Sequence, residues 1–201
     1  MFKKINQVIE KIDYETISDQ RKTELEELIQ FIQRKRDQNE SVLLNFICTH
    51  NSRRSQFAQL WAQVASDYYT IETQCFSGGV EETAFNERAV ASLGRFGFEI
   101  RHETGTNPKY HVGWNTTSDG LMMFSKLYVD AIHSKDGFAA IMTCSHADEN
   151  CPYVAGCEKR IPIRYEDPKN YDDTPLESAF YDYRSFEIAT EMFYVFSQIN
   201  D

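Results

Sequence analysis

The segment CTHNSRRS, residues 48–55, constrains the fold most, because it lies where a strand pattern meets a helix pattern. Residues 42–47 are a short apolar run, partly β-branched, that is typical of a buried strand. Apolar side chains then recur at helical spacing, at Phe57, Leu60, Trp61 and Val64. The N–H groups of a strand-to-helix loop point to one place, where the helix dipole adds positive potential. The segment therefore predicts a cradle for an oxyanion of phosphate size.

Cys48 is the candidate nucleophile of this cradle. A cysteine at a helix N-terminus beside cations ionises readily, and its thiolate can attack an electrophilic centre. The planar guanidinium of Arg54 can bind two oxygens of the anion, and Ser55 can donate a hydrogen bond to the thiolate. An inert core cysteine and a helix-capping serine are the alternatives. The predicted oxyanion-binding residues are Thr49, His50, Asn51, Ser52, Arg53, Arg54 and Ser55.

Charge and hydropathy argue against binding to nucleic acids or membranes. The formal net charge is −10 at pH 7, whereas non-specific binding to nucleic acid or anionic lipid needs a basic face. No apolar run has the length of a signal-peptide core or a membrane span, so the expected location is the cytosol. The five cysteines are then expected to be reduced, catalytic or metal-bound rather than structural disulfides. We expect no cofactor.

The first 40 residues read as a helical extension packed on a domain that spans residues 41–201. Ser18 is a plausible N-cap, and one helical face carries Leu25, Leu28, Ile29 and Ile32. A short helix pair alone would bury too little apolar surface to be a domain. The length of 201 residues suits one such domain with a real core.

Strands and helices alternate beyond the extension, which predicts a doubly wound α/β fold with a parallel sheet. The predicted strands are residues 42–47, 69–76, 98–100, 138–143 and 161–165. The predicted helices after the loop helix are residues 86–96, ended by Gly97, and 176–199. Residues 77–79 are predicted to form a tight turn, and the irregular segment 101–135 a hairpin or a loop that borders the site.

Ligands of such sheets bind at the carboxyl ends of the strands. Cys48, Cys144 and Asp167 all lie at predicted carboxyl ends, so they are expected to converge. Asp167 precedes Pro168, which is common turn chemistry. A carboxylic acid beside an oxyanion could also act as a general acid for a leaving oxygen.

The segment CSHADENCP, residues 144–152, contains a second reactive pattern. Cys144 and Cys151 could form a thiol relay, in which one sulfur attacks and the next resolves the disulfide. His146 could assist ionisation there, although an incidental loop histidine is the simpler interpretation. A zinc site of Cys144, His146, Cys151 and Cys157 lacks a second closely spaced ligand pair. Two unrelated buried cysteines are a further alternative; Cys75 is interpreted as core, and no metal is predicted.

The loop CTHNSRRSQ resembles the phosphate loop of the low-molecular-weight protein tyrosine phosphatase superfamily. It is most similar to that of thioredoxin-coupled arsenate reductases, which read Cys-Thr-Gly-Asn-Ser-x-Arg-Ser-Gln. The segments FSGGVEETAFNERAV, MTCSHADENCP and YEDP follow in family order, so the resemblance covers residues 42–200. It implies a mainly four-stranded parallel sheet flanked by helices.

The resemblance also implies a role for each site residue. Cys48 would be the nucleophile, Arg54 the oxyanion clamp and Asp167 the general acid. Cys144 would attack Cys48 and expel arsenite, and Cys151 would attack Cys144. A thioredoxin-like partner would reduce the resulting disulfide.

The sequence departs from the family at several positions. His50 replaces a glycine, which is costly if that residue is left-handed. Gln59 replaces a glutamate that helps some reductases to hold potassium, so that site is not carried over. Lys169 follows Pro168 where tyrosine phosphatases have an aromatic residue.

Three functions remain open from the sequence. The first is arsenate reduction through the three cysteines. The second is hydrolysis of phosphomonoesters through a phosphocysteine on Cys48, as in a tyrosine phosphatase, with Cys144 and Cys151 incidental. The third is a non-catalytic module that binds anions.

Overall fold

The main sheet is parallel and four-stranded. A computed structural model describes residues 1–132, 135–150 and 153–200. Its strands are β1 Val42–Cys48, β2 Thr73–Gly79, β3 Glu99–His102, β4 Tyr110–Gly113, β5 Leu121–Met123, β6 Phe138–Met142 and β7 Cys157–Pro162. Four of them pair in the order β2–β1–β6–β7, all parallel. The predicted α/β fold is thereby confirmed.

Helices cover both faces of this sheet. They are α1 Lys3–Ile9, α2 Asp19–Asp37, α3 Arg54–Tyr69, α4 Glu87–Phe96, α5 Tyr128–Ala131, α6 Ser145–Asn150 and α7 Glu177–Ser197. Every residue of β1 is buried, as expected for a central parallel strand with helices on either side. None of the helices within the described ranges is long and apolar enough to cross a bilayer.

Two of the predicted strands have different bounds in the structure, and the predicted turn is part of a strand. Residues 69–72 are not in a strand, because α3 continues to Tyr69 and ends at Thr70, which adopts the left-handed conformation (φ 58°). Residues 77–79 end β2 instead of forming a tight turn. The predicted strand 161–165 lies earlier, as β7. For residues 77–79 and for β7, hydrogen-bond pairing between strands, which local sequence does not encode, sets the boundary.

The segment after α4 forms a second sheet. Strands β3, β4 and β5 pair antiparallel to one another, so the predicted strand 98–100 does not join the parallel sheet. The hairpin expected in residues 101–135 is confirmed as β4–β5. The helix that precedes it, α4, begins after Asn86, whose side chain accepts hydrogen bonds from the backbone, and ends at Gly97 with φ 99°. The end matches the prediction, and the start lies one residue later than predicted.

The N-terminal helices pack against the rest of the chain. Ser18 caps α2 as predicted, because its Oγ accepts a hydrogen bond from the backbone N–H of Arg21. The predicted apolar face is buried in the main core, at Leu25, Leu28, Ile29 and Ile32. The Arg21 guanidinium also donates to the Glu191 carboxylate of α7 at 2.7 and 2.9 Å. The division at residue 40 stays a prediction.

Candidate active site

The loop between β1 and α3 carries Cys48 at its start and Arg54 at its end. Its left-handed residue is Asn51, with φ 45°. His50 is not among the residues with positive φ in the described chain, so the glycine-to-histidine departure brings no Cβ penalty. Asparagine tolerates the left-handed region better than most residues, which explains how the loop turns without glycine.

Cys48 lies at the floor of the loop and is 3% exposed. Its Sγ is 3.0 Å from Ser55 Oγ. The Asn51 side-chain amide donates to the same Ser55 oxygen at 2.9 Å, so the Ser55 hydroxyl is left to donate its hydrogen to the sulfur. A hydrogen bond of this kind favours a thiolate. The predicted contact between Ser55 and Cys48 is therefore present.

A chain of hydrogen bonds between neutral side chains fixes the position of Asn51. Asn51 Nδ2 also donates to Ser77 Oγ at 2.9 Å, and Ser77 donates to Gln59 Oε1 at 2.6 Å. The Gln59 amide in turn donates to the Cys75 carbonyl at 2.9 Å. Gln59 thus completes a network of neutral groups where a glutamate would add a charge.

Gly79, at the end of β2, lets this strand approach the loop. The Val80 N–H donates to the Cys48 carbonyl at 3.1 Å and the Glu81 N–H to the Thr49 carbonyl at 2.8 Å. Both hydrogen bonds require the two backbones to lie side by side. The absence of a side chain at Gly79 allows this close approach.

Replacing Gly79 with alanine is expected to destabilise the loop. The added Cβ would lie 2.4 Å from the Glu81 carbonyl oxygen and 2.8 Å from the Asn51 nitrogen, both of them backbone atoms. We expect a loss of about 1–3 kcal/mol in the free energy of unfolding, measured with urea, and weaker phosphate binding by calorimetry. The control is Gly94→Ala in α4, where an added Cβ meets no atom within 4 Å. This substitution should raise the free energy of unfolding by about 0.5–1 kcal/mol, because alanine favours a helix more than glycine does. Equal stabilities of the two variants would contradict this.

A segment from the hairpin region also holds the loop, as expected for residues bordering the site. Ser125 Oγ donates to the His50 carbonyl at 2.8 Å, and the Lys126 N–H donates to Asn51 Oδ1 at 3.1 Å. Gln56 Nε2 donates to the Phe124 carbonyl at 2.8 Å. Burial lowers the pKa of Lys126 to about 8. No motif in the sequence marks these residues, so they were not among the predicted site residues.

Three loop side chains are engaged away from Cys48. His50 Nε2 lies 3.3 Å from a Glu81 carboxylate oxygen, and Ser52 donates to the Ala84 carbonyl at 2.7 Å. Arg53 Nε donates to the Tyr181 hydroxyl at 2.8 Å. Their contribution to an oxyanion cradle would accordingly come from the backbone.

Arg54 and Asp167 meet although 113 residues separate them. Arg54 Nη2 donates to Asp167 Oδ2 at 2.6 Å, and Nη1 donates to the Tyr165 carbonyl at 3.1 Å. Arg54 Nε is buried and has no hydrogen-bond partner among the described residues. A buried guanidinium N–H without a partner is costly, and an anion above Cys48 could accept from it.

Cys144 is also brought to the loop. It is 2% exposed and belongs to the same buried apolar cluster as Cys48, against which Cys157 is partly buried. Its Sγ lies 3.5 Å from the hydroxyl of Thr49, the residue after Cys48, and accepts from the Ala147 N–H at 3.4 Å. Cys151, the predicted third thiol, lies outside the described residues.

The other two described cysteines have different surroundings. Burial raises the pKa of the fully enclosed Cys75 thiol, and it also raises that of Cys157. In the described part of the chain, no group of three or more His, Cys, Asp or Glu side chains could hold a metal ion.

Together the fold and the site define a class: an α/β domain in which a loop from Cys48 to Arg54 follows the carboxyl end of a central strand. Arsenate reductase 2 of Staphylococcus epidermidis is 30% identical over 124 residues, covering 61% of this chain and 76% of the relative. Arsenate reductase of Staphylococcus aureus strain Newman matches with the same identity and coverage. The chain belongs to the low-molecular-weight protein tyrosine phosphatase superfamily.

Solved structures agree with this fold. A YwlE mutant from Bacillus subtilis has a TM-score of 0.54 at 15% identity, covering 79% of this chain and 98% of that one. An arsenate reductase in the phosphate-binding state has a TM-score of 0.50 at 16% identity, covering 79% and 99%. No family model matches the sequence.

Proposed function

We propose that the protein reduces arsenate to arsenite through a relay of Cys48, Cys144 and Cys151. The observation that carries the proposal is the second buried thiol, Cys144, held 3.5 Å from the hydroxyl of the residue next to Cys48. Hydrolysis of a phosphoester needs only one thiol, whereas reduction needs a second sulfur to remove the first from arsenic. The similarity to the staphylococcal arsenate reductases supports the same activity.

The first step joins arsenate to Cys48. The thiolate attacks arsenic, an As–S bond forms and an As–O bond breaks. Asp167 gives its proton to the departing hydroxide, which leaves as water. Arg54 Nε, together with the loop backbone, would stabilise the remaining arsenate oxygens.

The next two steps replace the sulfur–arsenic bond with a disulfide bond and then pass that disulfide to a second pair of cysteines. Cys144, as thiolate, attacks the Cys48 sulfur; the S–As bond breaks, and its electron pair leaves with arsenic as arsenite. Cys151 then attacks the Cys144 sulfur and releases the Cys48 thiolate, which leaves a Cys144–Cys151 disulfide. A thioredoxin-like dithiol would supply the two electrons that restore both thiols. A cytosolic location, with its reducing conditions, would suit this cycle.

Phosphomonoester hydrolysis is the second candidate, because the contact of Arg54 with Asp167 would serve it equally well. Water would then hydrolyse a phosphocysteine on Cys48, and no disulfide would form. Lys169 and Asn170 follow Pro168, and the next aromatic ring, Tyr171, stacks on Phe180 with 3.3 Å between ring centroids. This arrangement gives less support for an aryl phosphate.

Replacing Cys144 with serine is expected to abolish steady-state arsenate reduction, by about 10³-fold or more, because serine cannot attack sulfur to form a disulfide. Turnover with thioredoxin and its reductase is measured by arsenite release. Disulfides are mapped by mass spectrometry after incubation with arsenate or phosphate. Cys157→Ser is the matched control, since Cys157 borders the same cluster. Full activity of Cys144→Ser, or fast ester hydrolysis with no Cys144–Cys151 disulfide in the wild type, would contradict the proposal.

A further inference from the structure

A continuous hydrogen-bonded path runs from Cys144 to the protein surface. The Thr49 hydroxyl oxygen is 3.5 Å from Cys144 Sγ and 3.3 Å from His146 Nδ1. Cys144 is 2% exposed, Thr49 is half-buried and His146 is exposed. The three groups therefore connect a buried thiol to solvent through a single hydroxyl.

From this path we infer that His146 accepts the proton of Cys144 through the hydroxyl of Thr49. A hydroxyl can accept one hydrogen bond while it donates another. The Cys144 S–H would donate to Thr49 Oγ1, and the Thr49 O–H would donate to His146 Nδ1. Transfer along the path leaves a thiolate that accepts from Thr49 and an imidazolium whose proton passes to water. One proton moves from the Cys144 thiol to His146 and then to water, so atoms and charge balance.

The relay proposed above, on which this inference rests, needs such an acceptor. The attacking sulfur must be a thiolate, yet apolar side chains surround Cys144 and keep water from its proton. The Ala147 N–H, 3.4 Å away, can stabilise the thiolate but cannot take up a proton. The neighbouring carboxylate of Asp148 is already paired with Arg160 and Arg164. Among the described residues, the base within hydrogen-bond distance of the Thr49 hydroxyl is the His146 imidazole.

The step to be measured is the attack of Cys144 on Cys48. In a Cys151→Ser background the relay stops at the Cys48–Cys144 disulfide. Arsenate is added to the full chain, samples are quenched with acid after milliseconds to minutes, and the disulfide is quantified by mass spectrometry. We expect His146→Ala to slow its formation by about 10²-fold, the usual contribution of a positioned base. His102→Ala, which removes an exposed histidine of β3, is the control and should keep the full rate.

Two further measurements separate proton acceptance from simple positioning. His146→Gln retains a group that can hydrogen-bond to Thr49 but cannot be protonated, so it is expected to be as slow as His146→Ala. Added imidazole is expected to restore much of the rate to His146→Ala, because it can occupy the exposed position and take the proton.

Each result bears on one proposal only. A full rate in His146→Ala or His146→Gln, or a slow rate that imidazole does not restore, would overturn the role of His146. Failure of the Cys48–Cys144 disulfide to form even with His146 present would instead overturn the relay itself. The substitution is at an exposed side chain, and an unchanged melting temperature confirms that the variant is folded.

Discussion

Replacing Cys48 with serine is expected to lower turnover of arsenate and of an aryl phosphate by about 10⁴-fold or more. Both reactions begin with the same sulfur. A serine at position 48 could still form a hydrogen bond with Ser55, whose Oγ is 3.0 Å from the Cys48 sulfur. The proton of a serine hydroxyl, however, is far harder to remove than that of a thiol. Turnover is measured by arsenite release and by phenol release.

Oxyanion binding separates the possible outcomes. The Cys48→Ser variant should still bind phosphate in calorimetry, because Arg54 and the loop are unchanged. Cys75→Ala, which removes a buried thiol of β2, is the control and should retain turnover. If the wild-type protein binds phosphate but turns over neither substrate, the chain is the non-catalytic anion-binding module that the sequence left open. Turnover that survives Cys48→Ser would exclude Cys48 as the nucleophile.

The part of the fold around the loop was predictable because its signals are local. The apolar run that became β1 and the helical spacing that became α3 bracket the loop within 28 residues of the sequence, 42–69. Gly97 likewise marked the end of α4 correctly, and the predicted start at residue 86 lies one residue before Glu87. Such signals depend on a few neighbouring residues, so that no tertiary contact is needed to interpret them.

The sequence predicted a hairpin in residues 101–135, but not that β3 would pair with it in a second sheet, because pairing partners are not local. Residues 98–100 have the composition of a strand whether they join a parallel sheet or the antiparallel β3–β4 pair. The choice depends on the packing of the whole hairpin. The hydrogen bonds from Ser125 and Lys126 to the loop result from that packing. They could not be predicted either, because they also depend on non-local contacts.

The candidate site was partly predictable, from topology rather than from motif spacing. The carboxyl ends of parallel strands meet at one edge, which correctly brought Cys144 and Asp167 towards the loop. The atoms that meet could not be predicted, since the distance from Thr49 to Cys144 depends on side-chain conformations. The chemical roles of these residues stay predictions.

Replacing Arg54 with lysine is expected to lower kcat/KM for either substrate by about 10²–10³-fold, the usual loss when one oxyanion donor is removed. Lysine keeps the positive charge and could still pair with Asp167. Its single nitrogen cannot take the positions of Nη1, which donates to the Tyr165 carbonyl at 3.1 Å, and of Nε while it pairs with Asp167. The donors of the guanidinium are spread over three nitrogens, two of which bond to Tyr165 and Asp167, whereas the three N–H groups of an ammonium share one nitrogen.

The division of this loss between binding and catalysis identifies what Arg54 does. Arg54 Nη2 now bonds to Asp167 at 2.6 Å, while Nε is buried without a partner among the described residues. If Nε binds the oxyanion, Arg54→Lys must weaken phosphate binding in calorimetry as well as slowing turnover. If Arg54 only orients Asp167, phosphate binding should be unchanged and Asp167→Asn should reproduce the whole loss. Arg95→Lys, at an arginine of α4 that pairs with Asp182 of α7, controls for the general loss of a guanidinium and should change neither quantity.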